Sequence, residues 1–358
     1  MTTIDTDVIT TATTQSQSPT PCELLGVAAE ETRRLVLPAM RAAFAELDPQ
    51  VALVCAYHEG WVDLDGNLCD GDSGKLLRPT LALATAKAVG GTAADAVPVG
   101  VSVEAVHAFS LLHDDIMDRD ETRRHRATAW KAFGVPMAIL AGDAMLGLSM
   151  SVLLDAPSDR AMRATKRITH DTQRLIAGQR ADLTFEVRDD VTLADYTAMA
   201  IGKTGALISA SCALGAELAG ADAATVDMFA WCGDRLGLAF QIVDDLLGIW
   251  GDDRTTGKPV LNDLRARKKS YPVLCALNGS GPATRRLREI YLGSGQLPES
   301  DVAEAAHLIE EAGGRERARR AVANGALEVT EAFDRLGLPK REHDILLAIV
   351  GAMTDRVR

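Results

Sequence analysis

Four aspartates and four arginines crowd the stretch LLHDDIMDRDETRRHRAT, which begins at Leu111 directly after an apolar run. Residues four apart share a helix face, so Asp114 and Asp118 point one way while Asp115 stands about 100° round. Like charges on one face repel, and a surface helix gains nothing from them; taken alone, the pattern reads equally well as a solvated acidic turn. A second passage tips the balance. Asp244 and Asp245 follow the apolar LGLAFQIV, again an acidic pair at the end of a buried stretch. Unpaired carboxylates there are costly unless a cation compensates them.

Ligand sets made only of carboxylates select hard cations, and Mg²⁺ commonly bridges one or two carboxylates to substrate phosphates. Two such patches facing each other across a bundle would hold several Mg²⁺ ions and one diphosphate. Arg123 and Arg124 then stand beside the carboxylates because a metal-bound polyanion needs both signs. Further cations lie along the chain: Lys75 and Arg78 in GKLLRP, Lys203 beside Thr204 in GKTG, and Lys258 and Lys269 in GKPVLNDLRARKKSYP. Each basic pair by itself is an ordinary snorkelling surface pair. Neither GKLLRP nor GKTG has the P-loop spacing, which argues against a nucleotide triphosphatase.

The elements that must position these groups are helical. From about Cys22 onward apolar residues recur at three- and four-residue spacing, as in LLGVAAEETRRLVLPAMRAAFAEL, PVGVSVEAVHAFSLLHDDIMD and MAILAGDAMLGLSMSVLL, with alanine and leucine dominant. Strand-like alternation is scarce, and LVCAYHEGWVDLDGNL reads as an irregular connection with Gly and Asp turns. These features predict an all-α fold, a single large bundle around a central cavity over residues 22–358, preceded by a disordered tail over 1–21 that is rich in Thr and Ser.

Composition excludes several classes. The formal net charge of -12 leaves no basic face for nucleic acid. Six cysteines without CxxC or paired spacing fit reduced thiols in a cytoplasmic protein and make a zinc site improbable. The N-terminal stretch has no apolar core of a secretory signal. AVHAFSLL and ALISASCALGAELAGA come nearest to a membrane span without reaching about 20 residues, which predicts a soluble protein without stable membrane insertion.

GKLLRP, EAVHAFSLLHDDIMDRDETRR, GQRADL, GKTGAL, FQIVDDLLGIWGD and GKPVLNDLRARKKSYP resemble, in order, the motifs of the trans-isoprenyl diphosphate synthases, from about Lys75 to Pro272. The resemblance implies an isoprenoid-synthase fold, a homodimer and head-to-tail condensation of isopentenyl diphosphate with an allylic diphosphate. It further implies that Asp114 and Asp118 ligate Mg²⁺ with Asp115 hydrogen-bonded nearby. Asp244 would ligate a third ion, supported by Asp245. Arg123, Lys203 and Lys258 would grip the allylic diphosphate, and Lys75, Arg78, His107 and Arg124 isopentenyl diphosphate; Lys269 joins the substrate-binding set. Outside that context, His107 is an ordinary core histidine. Thr204 and Gln241 supply weak negative dipoles for an allylic cation, and no protein nucleophile is needed.

Two departures stand out. The second motif has Gly248 where many members carry a third Asp, with Asp252 as the candidate substitute, and His125 replaces the usual glycine after the arginine pair. A class I terpene cyclase shares the aspartate-rich helices but needs no second diphosphate site, so Lys75, Arg78, His107 and Arg124 argue against it. The intact aspartates argue against a non-catalytic subunit. In the family that these motifs resemble, an aromatic five residues before the first aspartate, here Phe109 ahead of Asp114, goes with products of fifteen or twenty carbons; with the small Ser110 next to it, the resemblance implies geranylgeranyl diphosphate as product and farnesyl diphosphate as the alternative, with Phe109 setting chain length unless it is ordinary core.

Overall fold

The computed structural model describes residues 19–69, 74, 76–156, 158–251, 261–291 and 295–355. Its helices are α1 (Pro21–Phe44), α2 (Pro49–His58), α3 (Leu77–Ala88), α4 (Val97–Met117), α5 (Ala129–Phe133), α6 (Val135–Leu154), α7 (Ser158–Phe185), α8 (Leu193–Ala200), α9 (Ala206–Leu218) and α10 (Ala223–Trp250). Beyond them come α11 (Asn262–Arg265), α12 (Tyr271–Leu277), α13 (Pro282–Tyr291), α14 (Glu299–Glu311), α15 (Gly314–Leu336) and α16 (Lys340–Thr354). One two-residue hairpin, β1 (Thr122–Arg123) with β2 (Arg126–Ala127), follows α4. The all-α expectation holds.

Every residue of α9 is buried, and its composition explains how. ALISASCALGAEL is built of small side chains, so neighbouring helices approach its backbone. A Cβ on Gly215 would strike the Ala82 carbonyl of α3, and one on Gly233 of α10 would strike Ser209. With α3, α4, α7 and α10 packed round it, α9 is the axle of the bundle and fixes the two aspartate-bearing helices.

Three local expectations need correction. The segment read as an irregular connection, 53–68, begins inside α2 and is helical to His58; Asp48 caps that helix by accepting from the Gln50 and Val51 amides and Pro49 fits the first turn. Thr20 and Pro21, assigned to the tail, belong to the start of α1, where Thr20 and Glu23 form a capping box. Residues 1–18 lie outside the described residues. Three helical stretches, Ala93–Met117, Val135–Leu154 and Leu193–Leu218, are long and apolar enough to cross a membrane by length and composition. The first and third spend that apolar surface inside the bundle, whereas α6 leaves Val135, Ile139, Leu140 and Leu154 exposed.

Candidate active site

α4 delivers the first acidic group at its C-terminal end, with Asp118 as the capping residue. Asp114 is half-buried, Asp115 buried and Asp118 exposed, as a 100° step per residue requires. Asp115 accepts two hydrogen bonds from Arg123 Nε, at 2.9 and 3.1 Å, and one from Nη2 at 2.7 Å. The hairpin after α4 exists to bring that guanidinium back: its two-residue turn places Arg124 and His125 at φ +49° and +61°. His125 thus takes the left-handed conformation glycine favours, at a cost of about 1 kcal/mol.

Among the described residues the Asp114 and Asp118 carboxylates make no hydrogen bond or ion pair; the Asp118 amide donates to the Asp114 carbonyl at 2.8 Å to close the helix. Burial, with Asp118 beside it, pushes Asp114 up to about 6 against the pull of Lys203. Burial also raises Asp118. Carboxylates so placed lack a permanent positive partner, which is the condition expected of metal ligands awaiting an ion. No group of three His, Cys, Asp or Glu side chains among the described residues is close enough to hold a metal by itself. Asp114, Asp118 and Asp244 therefore fit Mg²⁺ held by one or two carboxylates each and completed by substrate oxygens, rather than an all-protein cage.

Lys203 and Thr204 sit in a single π-helical turn, Ile201–Gly205, that widens the junction between α8 and α9. Gly178 of α7 lies against this turn so closely that a Cβ there would strike the Lys203 amide nitrogen. Lys203 Nζ donates to Asp182 Oδ2 at 2.6 Å. Burial opposes ionisation of Asp182, but Lys268 and Lys203 together hold its carboxyl below the usual range. Thr204 Oγ1 donates to Gln241 Oε1 at 2.6 Å, and Gln241 Nε2 donates to Asp245 Oδ1 at 3.2 Å. Asp245, buried, also accepts from Tyr196 Oη at 2.6 Å and from the Tyr271 amide at 2.8 Å. Its neighbour Asp244 is exposed on α10, within the field of Arg78.

Three residues at this mouth were absent from the sequence-based set. Asp182 belongs to the quoted GQRADL, and its invisibility there reflects the lack of any local acidic pattern. Lys268 faces Asp263, Asp182, Asp245 and Asp118, which hold its ammonium above its ordinary value against burial. Lys269 points elsewhere, Nζ donating to the Glu186 carbonyl at 3.3 Å, although it lines the same cavity of about 880 Å³ as Asp118, Asp182, Lys203 and Lys268. Asp263 fills the space left at Gly248, where a Cβ would come within 2.9 Å of its Oδ2. A carboxylate from α11 thus lies against the position where the second motif lacks one. Lys75, Lys258 and Asp252 lie outside the described residues.

On the other side of α4, burial together with Arg78 and Arg124 holds the His107 imidazole well below its ordinary value, hence neutral. Arg78 stands on α3 and Arg124 on the hairpin turn, where it is exposed. Phe109 packs edge-on against His113, ring centroids 4.9 Å apart, and the Ser110 hydroxyl donates to the His107 carbonyl at 2.8 Å.

Two acidic helix ends with Lys203 and Lys268 between them, and a separate corner of Arg78, Arg124 and His107, are brought together by the fold, and the sequence profile described as polyprenyl synthetase matches residues 68–309. The chain belongs to the polyprenyl synthetase family. It is 45% identical over 339 residues to the (2E,6E)-farnesyl diphosphate synthase of Mycobacterium tuberculosis, covering 93% of this chain and 92% of that one. The geranylgeranyl diphosphate synthase of the same organism is 43% identical over 301 residues, 84% of this chain and 86% of that one. The crystal structure of a polyprenyl synthetase from Streptomyces coelicolor A3(2) superposes with a TM-score of 0.87 at 45% identity, covering 92% and 99% of the two chains. The activity is that of a trans-prenyl diphosphate synthase, and such synthases act with a divalent metal.

Proposed function

We propose that this synthase joins isopentenyl diphosphate head to tail to allylic diphosphates with Mg²⁺, up to three ions per site, and releases geranylgeranyl diphosphate. The observation that carries the product length is the row of α4 below the metal end. One turn down from Asp114, the residue about 40° off its direction is Ser110, whereas Phe109 is rotated about 140° and lies against His113. The row in line with the aspartates is therefore unobstructed at its first turn, and an apolar chain pinned at the diphosphate extends past it. Farnesyl diphosphate is the second reading, favoured by the 45% identical relative that carries that name.

The metal, when bound, offsets charge developing on the departing diphosphate. Lys203 and Lys268 add fixed positive charge where the allylic C–O bond breaks, its electron pair leaving with the diphosphate. Asp182 keeps Lys203 aimed, and the Thr204 hydroxyl, tied to Gln241, keeps its oxygen lone pairs for the allylic cation. Arg78, Arg124 and neutral His107 hold the second diphosphate so that the alkene attacks the cation. The released diphosphate accepts the proton that is lost.

Free thiols at all six cysteines suit a cytoplasmic protein. The exposed face of α6, continued by Met162 and Ile176 of α7 at 62% and 41% exposure, suits a homodimer, which light scattering on the purified chain tests. Incubation of the chain with Mg²⁺, isopentenyl diphosphate and dimethylallyl diphosphate, followed by chromatography of the dephosphorylated products, tests the function. Elongation to twenty carbons supports the reading, elongation ending at fifteen selects the alternative, and cyclic products or none refute it. Because Phe109 is turned out of that row, Phe109→Ala should leave the product distribution unchanged; a shift toward longer chains would instead make Phe109 the floor of the channel and refute the row argument.

A further inference from the structure

The π-helical turn that carries Lys203 and Thr204 lies between α7 and α10, and both helices touch its backbone with their own. A Cβ on Gly202 would come within 2.9 Å of the Arg174 carbonyl of α7, and one on Gly205 within 3.3 Å of the Asp234 carbonyl of α10. These two flanking residues are joined to each other: Arg174 Nη2 donates to Asp234 Oδ1 at 2.8 Å. The same guanidinium donates through Nη1 to Asp171 Oδ1 at 3.0 Å, and Asp171 is 2% exposed. One arginine, fixed by a buried carboxylate of its own helix, thus straps α7 to α10 across the turn.

The strap matters because the two working side chains of the turn are tied to different helices. Lys203 is aimed by Asp182, on α7, and Thr204 by Gln241, on α10. Asp182 stands eight residues after Arg174 and Gln241 seven after Asp234, so each partner lies about two turns, about 10–12 Å, along its helix from the strap. The separation of α7 and α10 therefore decides whether both bonds, each 2.6 Å long, are made at once. Packing alone does not fix it. A cavity of about 420 Å³, lined by Arg174, Gly178, Ile201 and Gly202 among others, lies against the turn and leaves it without packed side chains there. A π turn also has an α-helical alternative one residue out of step, which swings the side chains beyond it by about 100°.

We propose that Arg174 and Asp234 are positioning residues for the reaction: their ion pair holds α7 and α10 at the separation that keeps the turn between them and presents Lys203 and Thr204 together to the allylic substrate. The proposal rests on the assignment of Lys203 and Thr204 to that partner. A second ion pair joins the same helices, Arg167 Nη2 with Asp227 Oδ1 at 3.3 Å. It lies seven residues further back on each helix, away from the turn, and the Asp227 side chain is 74% exposed. That pair ties the helices without touching the turn and serves as the internal control.

The full chain is assayed with Mg²⁺, varying dimethylallyl diphosphate and isopentenyl diphosphate separately, and circular dichroism establishes that each variant is folded. Asp234→Ala leaves Arg174 paired with Asp171, so no buried carboxylate loses its partner. It should lower kcat/KM for the allylic substrate by about ten- to a hundredfold, the loss expected of a displaced binding group, with the KM for isopentenyl diphosphate within about twofold of wild type. Asp234→Asn, the milder probe, should show the same split at smaller size, and Asp227→Ala should leave both substrates unaffected. In a Lys203→Ala background the loss from Asp234→Ala should shrink, because the group it positions is gone. Wild-type kinetics in both Asp234 variants, equal losses in Asp234→Ala and Asp227→Ala, a KM rise shared by both substrates, or losses that multiply in the double variant would make the pair ordinary helix packing and overturn the proposal. Lys203→Ala with an unchanged allylic KM would instead overturn the assignment beneath it.

Discussion

Tyr196→Phe probes the anchor of the second aspartate pair. Asp245 is 2% exposed and accepts three hydrogen bonds, of which the Tyr196 hydroxyl at 2.6 Å is the shortest. Deleting one donor from a buried carboxylate costs about 1.5–3 kcal/mol, and the two remaining donors keep the loss from growing further. The sign with pH follows from the carboxyl itself. Burial raises Asp245 above its ordinary value, while the Tyr196 hydrogen bond pulls it back down. A raised carboxyl contributes stability that is full in acid and lost as pH rises through its folded value; removing Tyr196 raises it further, so the cost is larger at pH 8 than at pH 5. Urea unfolding followed by circular dichroism at both pH values measures it. A loss under about 0.5 kcal/mol at pH 8, or one that grows on acidification, would refute the reasoning.

Metal affinity should strengthen as pH rises through about 6, because Asp114 must lose its proton to bind an ion; a Mg²⁺ titration of activity from pH 5 to 8 reads this. Lys203→Ala should chiefly weaken the allylic diphosphate and Arg78→Ala chiefly isopentenyl diphosphate, by about 1.5–3 kcal/mol each, and steady-state kinetics with each substrate varied separately would expose a reversed pattern. His125→Gly should stabilise the fold by about 0.5–1 kcal/mol, seen as a later unfolding midpoint, because it relieves a left-handed residue at φ +61°.

Legibility in the sequence followed range. The helices of the bundle announced themselves through periodic alanine and leucine, and both aspartate pairs through their place at the end of apolar runs. α2 escaped because its ten residues carry little periodicity, although the Asp48–Pro49 start signal was present. Asp182, Lys268 and Asp263 escaped for a different reason: each acts through residues distant in the chain, and nothing local distinguishes it from a surface charge. The gap at Gly248 makes the point, since Asp263, fifteen residues further along the chain, is what the fold brings against it.

The echo between the two acidic passages then acquires a physical meaning. A step of about 100° per residue forces the members of an Asp–Asp pair onto different sides of the helix. In each passage the first member, Asp114 or Asp244, stands toward the site, and the second, Asp115 or Asp245, is buried and held by donors from a neighbouring element. The second aspartate thereby fixes the rotation of the helix end that presents the first. Asp115→Asn should therefore lower both stability and turnover. Arg123 would keep its charge, 26% exposed, without its bidentate partner, a loss of about 2–4 kcal/mol. Asp244→Ala should instead lower turnover by at least about 10³ while leaving the unfolding midpoint close to wild type. Parallel unfolding and rate measurements on the two variants decide it. Equal stability losses in both would mean that the exposed and buried members share one role and that the pairing has no such division.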